Sequence, residues 1–77
     1  MLYIIFIIVT NVDNTFSYYT YDYQSFATAL VNYDRKQSEI TADTGRAYYA
    51  IKLMDSTGNI LKSEERDLVN IRAQANS

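Results

Sequence analysis

The chain has 77 residues, of which 48% are apolar and 21% charged, and its formal net charge is −2. A chain of this length buries only about 60% of the surface that it exposes when unfolded, so we expect one domain over residues 1–77. Histidine and cysteine do not occur. Their absence excludes the usual zinc, haem and iron–sulfur sites and the usual Ser-His and Cys-His catalysis. We therefore expect a protein that is not an enzyme, with no metal and no cofactor.

The charge distribution and the lack of cysteine also bear on location and partners. Small secreted domains commonly depend on disulfides, so a cysteine-free chain favours the cytoplasm. The seven Lys and Arg residues form no run. Strong binding to a phosphate backbone needs clustered cations, so we expect nucleic-acid binding to be weak.

The N-terminal segment 2–9 is entirely apolar or aromatic. It is too short to cross a membrane, because a helix needs about 20 residues to span roughly 30 Å of hydrocarbon. No Lys or Arg precedes it, as a signal sequence would require, although a signal cleaved near residues 15–17 remains an alternative. Its β-branched and aromatic content predicts a strand over residues 2–10. Both alternating sets are apolar, so we expect both faces to be covered, the second one by the C-terminal helix or by another copy of the chain.

Turn residues and a helical pattern follow. Residues 11–14 favour a turn, because Asn and Asp tolerate left-handed backbone conformations, and residues 15–21 are predicted to return as a second strand. Asp22 is predicted to cap the next helix, since its carboxylate is placed to accept a hydrogen bond from the amide of Ser25. Apolar residues then recur at helical spacing from residue 23 to about residue 36, which predicts a helix that packs on the sheet.

The second half of the chain repeats the hairpin pattern. Residues 37–45 are polar and end in glycine, so they are predicted to form a loop. Strict alternation over residues 46–53 predicts a half-buried strand. Residues 55–59 are predicted to form a hairpin turn, and residues 60–63 to pair back. One side of the alternating strand carries Ala47, Tyr49, Ile51 and Leu53, and the other side carries Arg46, Tyr48, Ala50 and Lys52.

A terminal helix is predicted over residues 64–75, with Ser63 as its cap and three acidic residues in its first turns. The element order is then β-β-α-β-β-α. This order predicts a small α+β fold, in which an antiparallel sheet carries one packed helix and a short C-terminal helix.

The eight tyrosines are the strongest compositional bias. Tyrosine combines a large rigid apolar ring with a polar tip and is therefore enriched at protein interfaces. Tyr48 is predicted to project from the side of its strand opposite the helix, whereas Tyr49 is predicted to be core. The candidate binding residues are Tyr18, Tyr19, Arg46, Tyr48 and Lys52.

Two acidic groups resemble functional sites but have simpler explanations. The oxygen-rich residues 55–59 are too few for a calcium-binding loop and fit a hairpin turn. Glu64, Glu65 and Asp67 are explained by the preference of acids for a helix N-terminus rather than by catalysis.

These features favour a non-enzymatic protein that binds another protein through a tyrosine-bearing sheet edge or face. By analogy with small acidic domains of phages and plasmids, we expect it to inhibit a host enzyme or complex by occupying its surface, and to form a homodimer. Two alternatives stay open. One is a single-stranded nucleic-acid binder that uses exposed tyrosines, and the other is a dimeric protein that binds a small ligand.

Overall fold

The computed structural model describes residues 1–75 and contains four strands and two helices in the order β-β-α-β-β-α. This confirms the predicted α+β fold. The elements are β1 (Tyr3–Asn11), β2 (Phe16–Tyr23), α1 (Phe26–Ala42), β3 (Arg46–Asp55), β4 (Ile60–Asp67) and α2 (Leu68–Ala75).

The four strands form one antiparallel sheet in the order β2-β1-β3-β4. The apolar strand β1 therefore lies in the middle, paired with β2 on one side and β3 on the other. Strands β2 and β4 form the two outer edges. The hairpin turns are as predicted: Asn14 has a φ of 68° and Gly58 a φ of 94°, the left-handed conformations that Asn and Gly tolerate.

Alternate residues of β1 and β3 build the core against α1. Ile5, Ile7 and Val9 are fully buried, as their alternation on a strand requires. Tyr49 is 2% exposed, and Ile51 and Leu53 are fully buried, which confirms the predicted alternation of β3 from Tyr48 onward. The buried apolar side chains are Ile5, Ile7, Val9, Ala29, Tyr33, Ile40, Tyr49, Ile51, Leu53 and Leu68.

Helix α1 begins later than predicted, and its cap is Ser25 rather than Asp22. The Ser25 hydroxyl accepts a hydrogen bond from the Thr28 amide at 3.4 Å. Asp22 instead belongs to β2, where it pairs with Ile4. Continued strand pairing keeps Asp22 extended as part of the ladder, so the sheet overrides the local capping preference of that residue.

Helix α1 also continues to Ala42, so the predicted loop over residues 37–45 is wrong for most of its length. Tertiary contacts explain the extra turns. Ile40 is buried against the core. Gln37 accepts a hydrogen bond from the buried Tyr49 hydroxyl at 2.8 Å. These contacts stabilise a segment whose own hydrophobic pattern is weak.

The predicted helix start at Ser63 is also wrong, because β4 runs on to Asp67. Glu64 and Glu65 pair across the ladder with β3 and are not in a helical first turn. Asp67 caps α2, accepting from the Asn70 amide at 3.1 Å. No helix within residues 1–75 is long and apolar enough to cross a membrane.

Both helices lie on the same side of the sheet. Leu68 of α2 is buried in the core cluster that α1 covers, and Arg72 donates to the Asp43 carbonyl at the end of α1. The Cα positions span 44 × 23 × 16 Å, and the shortest dimension accommodates a single helix layer on the sheet. The C-terminal helix therefore does not cover the second face of β1, contrary to one of the two expectations for that face.

We expect Ile7→Asp to unfold the protein. Ile7 lies in the central strand and is 1% exposed, and burying an unpaired carboxylate costs several kcal/mol, comparable with the whole stability of so small a domain. Thr28→Asp, on the exposed side of α1, is the control and should keep its melting transition. Circular dichroism melts measure both, and an unchanged transition for Ile7→Asp would contradict the central position of β1.

A second prediction concerns acid stability and Asp55 in the β3–β4 turn. Its carboxylate accepts from the Thr57 hydroxyl at 2.6 Å and from the Asn59 amide at 3.0 Å, and these hydrogen bonds lower the pKa of Asp55. A carboxyl with a lower pKa in the folded state stabilises the fold above its unfolded pKa, and this stability is lost as the pH falls through the folded pKa. Urea unfolding should therefore show that the wild type loses more stability than Asp55→Asn between about pH 5 and about pH 2. Equal losses in the two proteins would contradict this role.

Candidate functional site

The face of the sheet that faces away from both helices is the main candidate site, and we call it the open face. Strand pairing aligns its side chains in rows across the sheet, with Phe6 between Thr20 and Lys52, and Ile8 between Tyr18 and Ala50. The open face consists of Ile4, Phe6, Ile8 and Thr10 of β1, Phe16, Tyr18, Thr20 and Asp22 of β2, Tyr48, Ala50, Lys52 and Met54 of β3, and Ile60, Ser63, Glu65 and Asp67 of β4.

Apolar and aromatic side chains occupy the middle of the open face. Ile4, Phe6 and Ile8 are half-buried by their neighbours in the sheet. Two aromatic rings stand further out: Phe16 is 60% exposed and Tyr18 is 65% exposed. Soluble monomers rarely expose contiguous apolar patches larger than a few hundred Å² unless the patch has a function. The open face is therefore the main candidate for an interaction surface.

Tyr48 lies between the apolar middle and the acidic side chains that β4 places on the open face. Its ring is 36% exposed, and its hydroxyl donates to the Glu65 carboxylate at 2.7 Å. This hydrogen bond raises the pKa of the Tyr48 phenol and restricts the orientation of its ring. A ring already held in place loses little conformational entropy when a partner covers it.

The charges of the open face are mostly negative. Asp22 lies on β2, and Glu65 and Asp67 lie on β4. Lys52, between them on β3, is the cation that the described strands place on this face. The open face therefore presents an apolar and aromatic middle with an acidic rim. Lys52 is the predicted binding residue that shares this face with Tyr18 and Tyr48.

Arg46 does not lie on the open face, which corrects its predicted placement beside Tyr48 and Lys52. A bulge between Thr10 and Asn11 shifts the register where β3 begins, so the simple alternation fails at Arg46. The Arg46 guanidinium lies on the helix side. It donates to the Asn11 side chain at 2.6 Å and contacts the Asp43 carboxylate at 3.2 Å.

Tyr19 also lies on the helix side, since it pairs with the buried Ile7. Its hydroxyl accepts a hydrogen bond from Arg46 at 3.1 Å, and this bond lowers the pKa of the Tyr19 phenol. Its ring stacks on Tyr21 at a centroid distance of 6.5 Å, and the Lys36 ammonium lies 4.4 Å from the Tyr21 ring. The predicted binding residues thus divide into two groups, with Tyr19 and Arg46 on the helix side of the sheet.

A cavity of about 270 Å³ lies on the helix side between α1 and β2. Its charged groups already have partners, since Lys36 is 3.8 Å from Glu39 and Arg46 contacts Asp43. These pairs leave little net charge to select an anion or a cation. The lining residues are Ile7, Tyr19, Tyr21, Lys36, Glu39, Ile40, Asp43 and Arg46.

Two acidic residues away from the open face, Glu64 and Asp55, have structural partners. Glu64 forms an ion pair with Arg66 at 2.7 Å, and Asp55 accepts hydrogen bonds within its own turn. Within residues 1–75, no group of three acidic side chains is placed to hold a metal ion. The acidic residues that resembled functional sites in the sequence therefore have contacts that account for their positions.

The open face and the helix layer behind it define a two-layer α+β protein with one sheet face exposed. Comparisons with protein families, with curated proteins and with solved structures find no match to this chain. Fold alone does not determine function, which depends on the chemistry of the exposed surfaces.

Tyr48 and Tyr49 provide a direct test of which side of β3 is exposed. We expect Tyr49→Ala to lower the free energy of unfolding by about 3–5 kcal/mol, because it leaves a cavity where a large buried aromatic ring was. Tyr48→Ala should lower it by about 1 kcal/mol or less, the scale of one exposed hydrogen bond. Urea denaturation measures both. The reverse order would mean that the register of β3 is wrong by one residue.

Proposed function

We propose that the protein is a non-enzymatic binding protein that docks its open face on another protein. The observation that carries this proposal is the apolar and aromatic middle of that face, which neither α1 nor α2 covers. Phe16, Tyr18 and Tyr48 supply exposed rings around the half-buried Phe6 and Ile8. Aromatic residues of this kind dominate the energetics of protein interfaces.

The dimensions of the open face suit such an interface. Four strands spaced about 4.8 Å apart, each of eight to ten residues rising about 3.3 Å per residue, give a face of roughly 19 by 30 Å. Specific interfaces bury about 800 Å² of accessible surface per partner. A sheet face of this size, with protruding side chains, supplies most of that area without any rearrangement of the backbone.

The rim of the open face indicates the chemistry of the partner. Asp22, Glu65 and Asp67 outnumber Lys52, so the matching surface has an apolar centre and basic residues around it. The same acidic excess opposes a nucleic acid, whose phosphates would meet these carboxylates. We propose that binding inhibits a host enzyme or complex by covering its surface, as some phage- and plasmid-encoded proteins do. The cytoplasm is the proposed setting, because a cysteine-free chain needs no oxidising compartment.

The test uses the immobilised protein to capture a partner from host lysate, followed by affinity measurements on the purified partner. Tyr48→Ala should weaken binding by about 1 kcal/mol or more, as expected for a hot-spot residue, while leaving the fold intact. Binding should also weaken as salt is added, because the acidic rim faces cations on the partner.

The matched control is Val31→Ala, which truncates an exposed apolar side chain on α1, on the other side of the protein. Its affinity for the partner should equal that of the wild type. A partner that binds Tyr48→Ala and Tyr18→Ala as tightly as the wild type would contradict the open face as its site. Salt-dependent binding of an oligothymidylate with greater affinity than any protein would contradict the proposed class of partner.

A further inference from the structure

The two edge strands of the sheet, β2 and β4, differ in charge and in the regularity of their pairing. Both β2 and β4 have one side that no other described strand pairs with. Such an edge presents unpaired backbone N–H and C=O groups, which are a template for another strand unless the sequence protects them. Strands β2 and β4 differ in this protection.

Strand β4 has the protective features of an edge strand. Its pairing with β3 is interrupted by a bulge between Leu53 and Met54, which distorts the ladder. Five of its eight residues are charged, and Lys and other charges on an edge oppose pairing with a further strand. The charged residues are Lys62, Glu64, Glu65, Arg66 and Asp67.

Strand β2 lacks these features. It pairs with β1 through eight consecutive residue pairs without a bulge, so its outer edge is regular. Its sequence, Phe-Ser-Tyr-Tyr-Thr-Tyr-Asp-Tyr, contains no Lys, Arg or Pro, and its one charged residue is Asp22. A regular, aromatic, nearly uncharged edge strand of eight residues is well suited to pair with another strand.

We propose that the outer edge of β2 pairs antiparallel with β2 of a second copy, with the two-fold axis at Thr20. The two sheets then join into one continuous sheet of eight strands. This inference does not depend on the proposed function, because it uses the edge of the sheet rather than its open face.

The sequence of β2 is complementary to itself in this register. Tyr19 lies opposite Tyr21 of the second copy, and aromatic pairs across strands are favourable. Asp22 lies opposite Tyr18, whose hydroxyl is a suitable donor, so the two carboxylates are not placed opposite each other. Tyr19 and Tyr21 are already held by their contacts with Arg46 and Lys36, so pairing requires little further ordering.

This pairing closes on itself. A two-fold contact uses the same edge of both copies, so no β2 edge remains to add a third chain. The edges left at the two ends of the joined sheet are the charged β4 strands, which resist further pairing. A dimer, rather than a fibre, is therefore the expected product.

Single-cysteine cross-linking tests the inference, because the chain contains no cysteine of its own. Residues directly opposite in an antiparallel pair have Cα atoms about 4.5 or 5.5 Å apart, and both distances suit a disulfide. Thr20→Cys should therefore form a covalent dimer as its main product under oxidised glutathione. Ser63→Cys is the matched control, a small exposed hydroxyl residue on the open-face side of the other edge strand, and it should stay monomeric.

Light scattering of the wild type at about 100 μM should give twice the chain mass of 8.9 kDa. Tyr48→Ala should keep this mass, which separates the dimer from partner binding at the open face. A wild-type mass of 8.9 kDa would overturn the inference. Equal cross-linking of Thr20→Cys and Ser63→Cys would also overturn it, because random collisions rather than pairing of the β2 edges would then account for the Thr20→Cys disulfide.

Discussion

The pairing of β1 on both of its sides is the constraint on which the rest of the structure depends. Ile5, Ile7 and Val9 are buried because β2 and β3 flank the strand while α1 covers its helix side. The same pairing sets the registers of β2 and β3, and through β3 the position of β4. A carboxylate in place of Ile5, Ile7 or Val9 would lose its hydration without gaining a hydrogen-bonding or charged partner.

The length of the chain then limits what can be covered. Its two helices form one layer on one side, so the second apolar row of β1 remains at the surface of the chain together with Phe16, Tyr18 and Tyr48. The two proposed surfaces differ in physical character. The open face offers apolar area with an acidic rim, whereas the edge of β2 offers backbone hydrogen-bonding groups. A β2-edge dimer would leave both open faces available for partners.

The sequence by itself determined the features that depend on strict local patterns. Alternation over residues 46–53 predicted that Tyr49 is core and Tyr48 is exposed, because successive strand residues point to opposite faces. Turn residues predicted both hairpins, since Asn14 and Gly58 occupy positive φ values that most residues avoid. The order of the six elements, and with it the α+β class, followed from these patterns. Three members of the candidate site, Tyr18, Tyr48 and Lys52, were also predicted as binding residues from sequence.

Only the tertiary structure decided where elements end and which face an irregular position takes. Strand pairing keeps Asp22 and residues 64–67 extended, although their local sequence favours a helix start. Burial of Ile40 extends α1 through polar residues, and a bulge moves Arg46 to the helix side. The physical reason is the same in each case. A local preference is worth about 1 kcal/mol or less, whereas a strand ladder or a buried side chain combines several such contributions from residues distant in sequence.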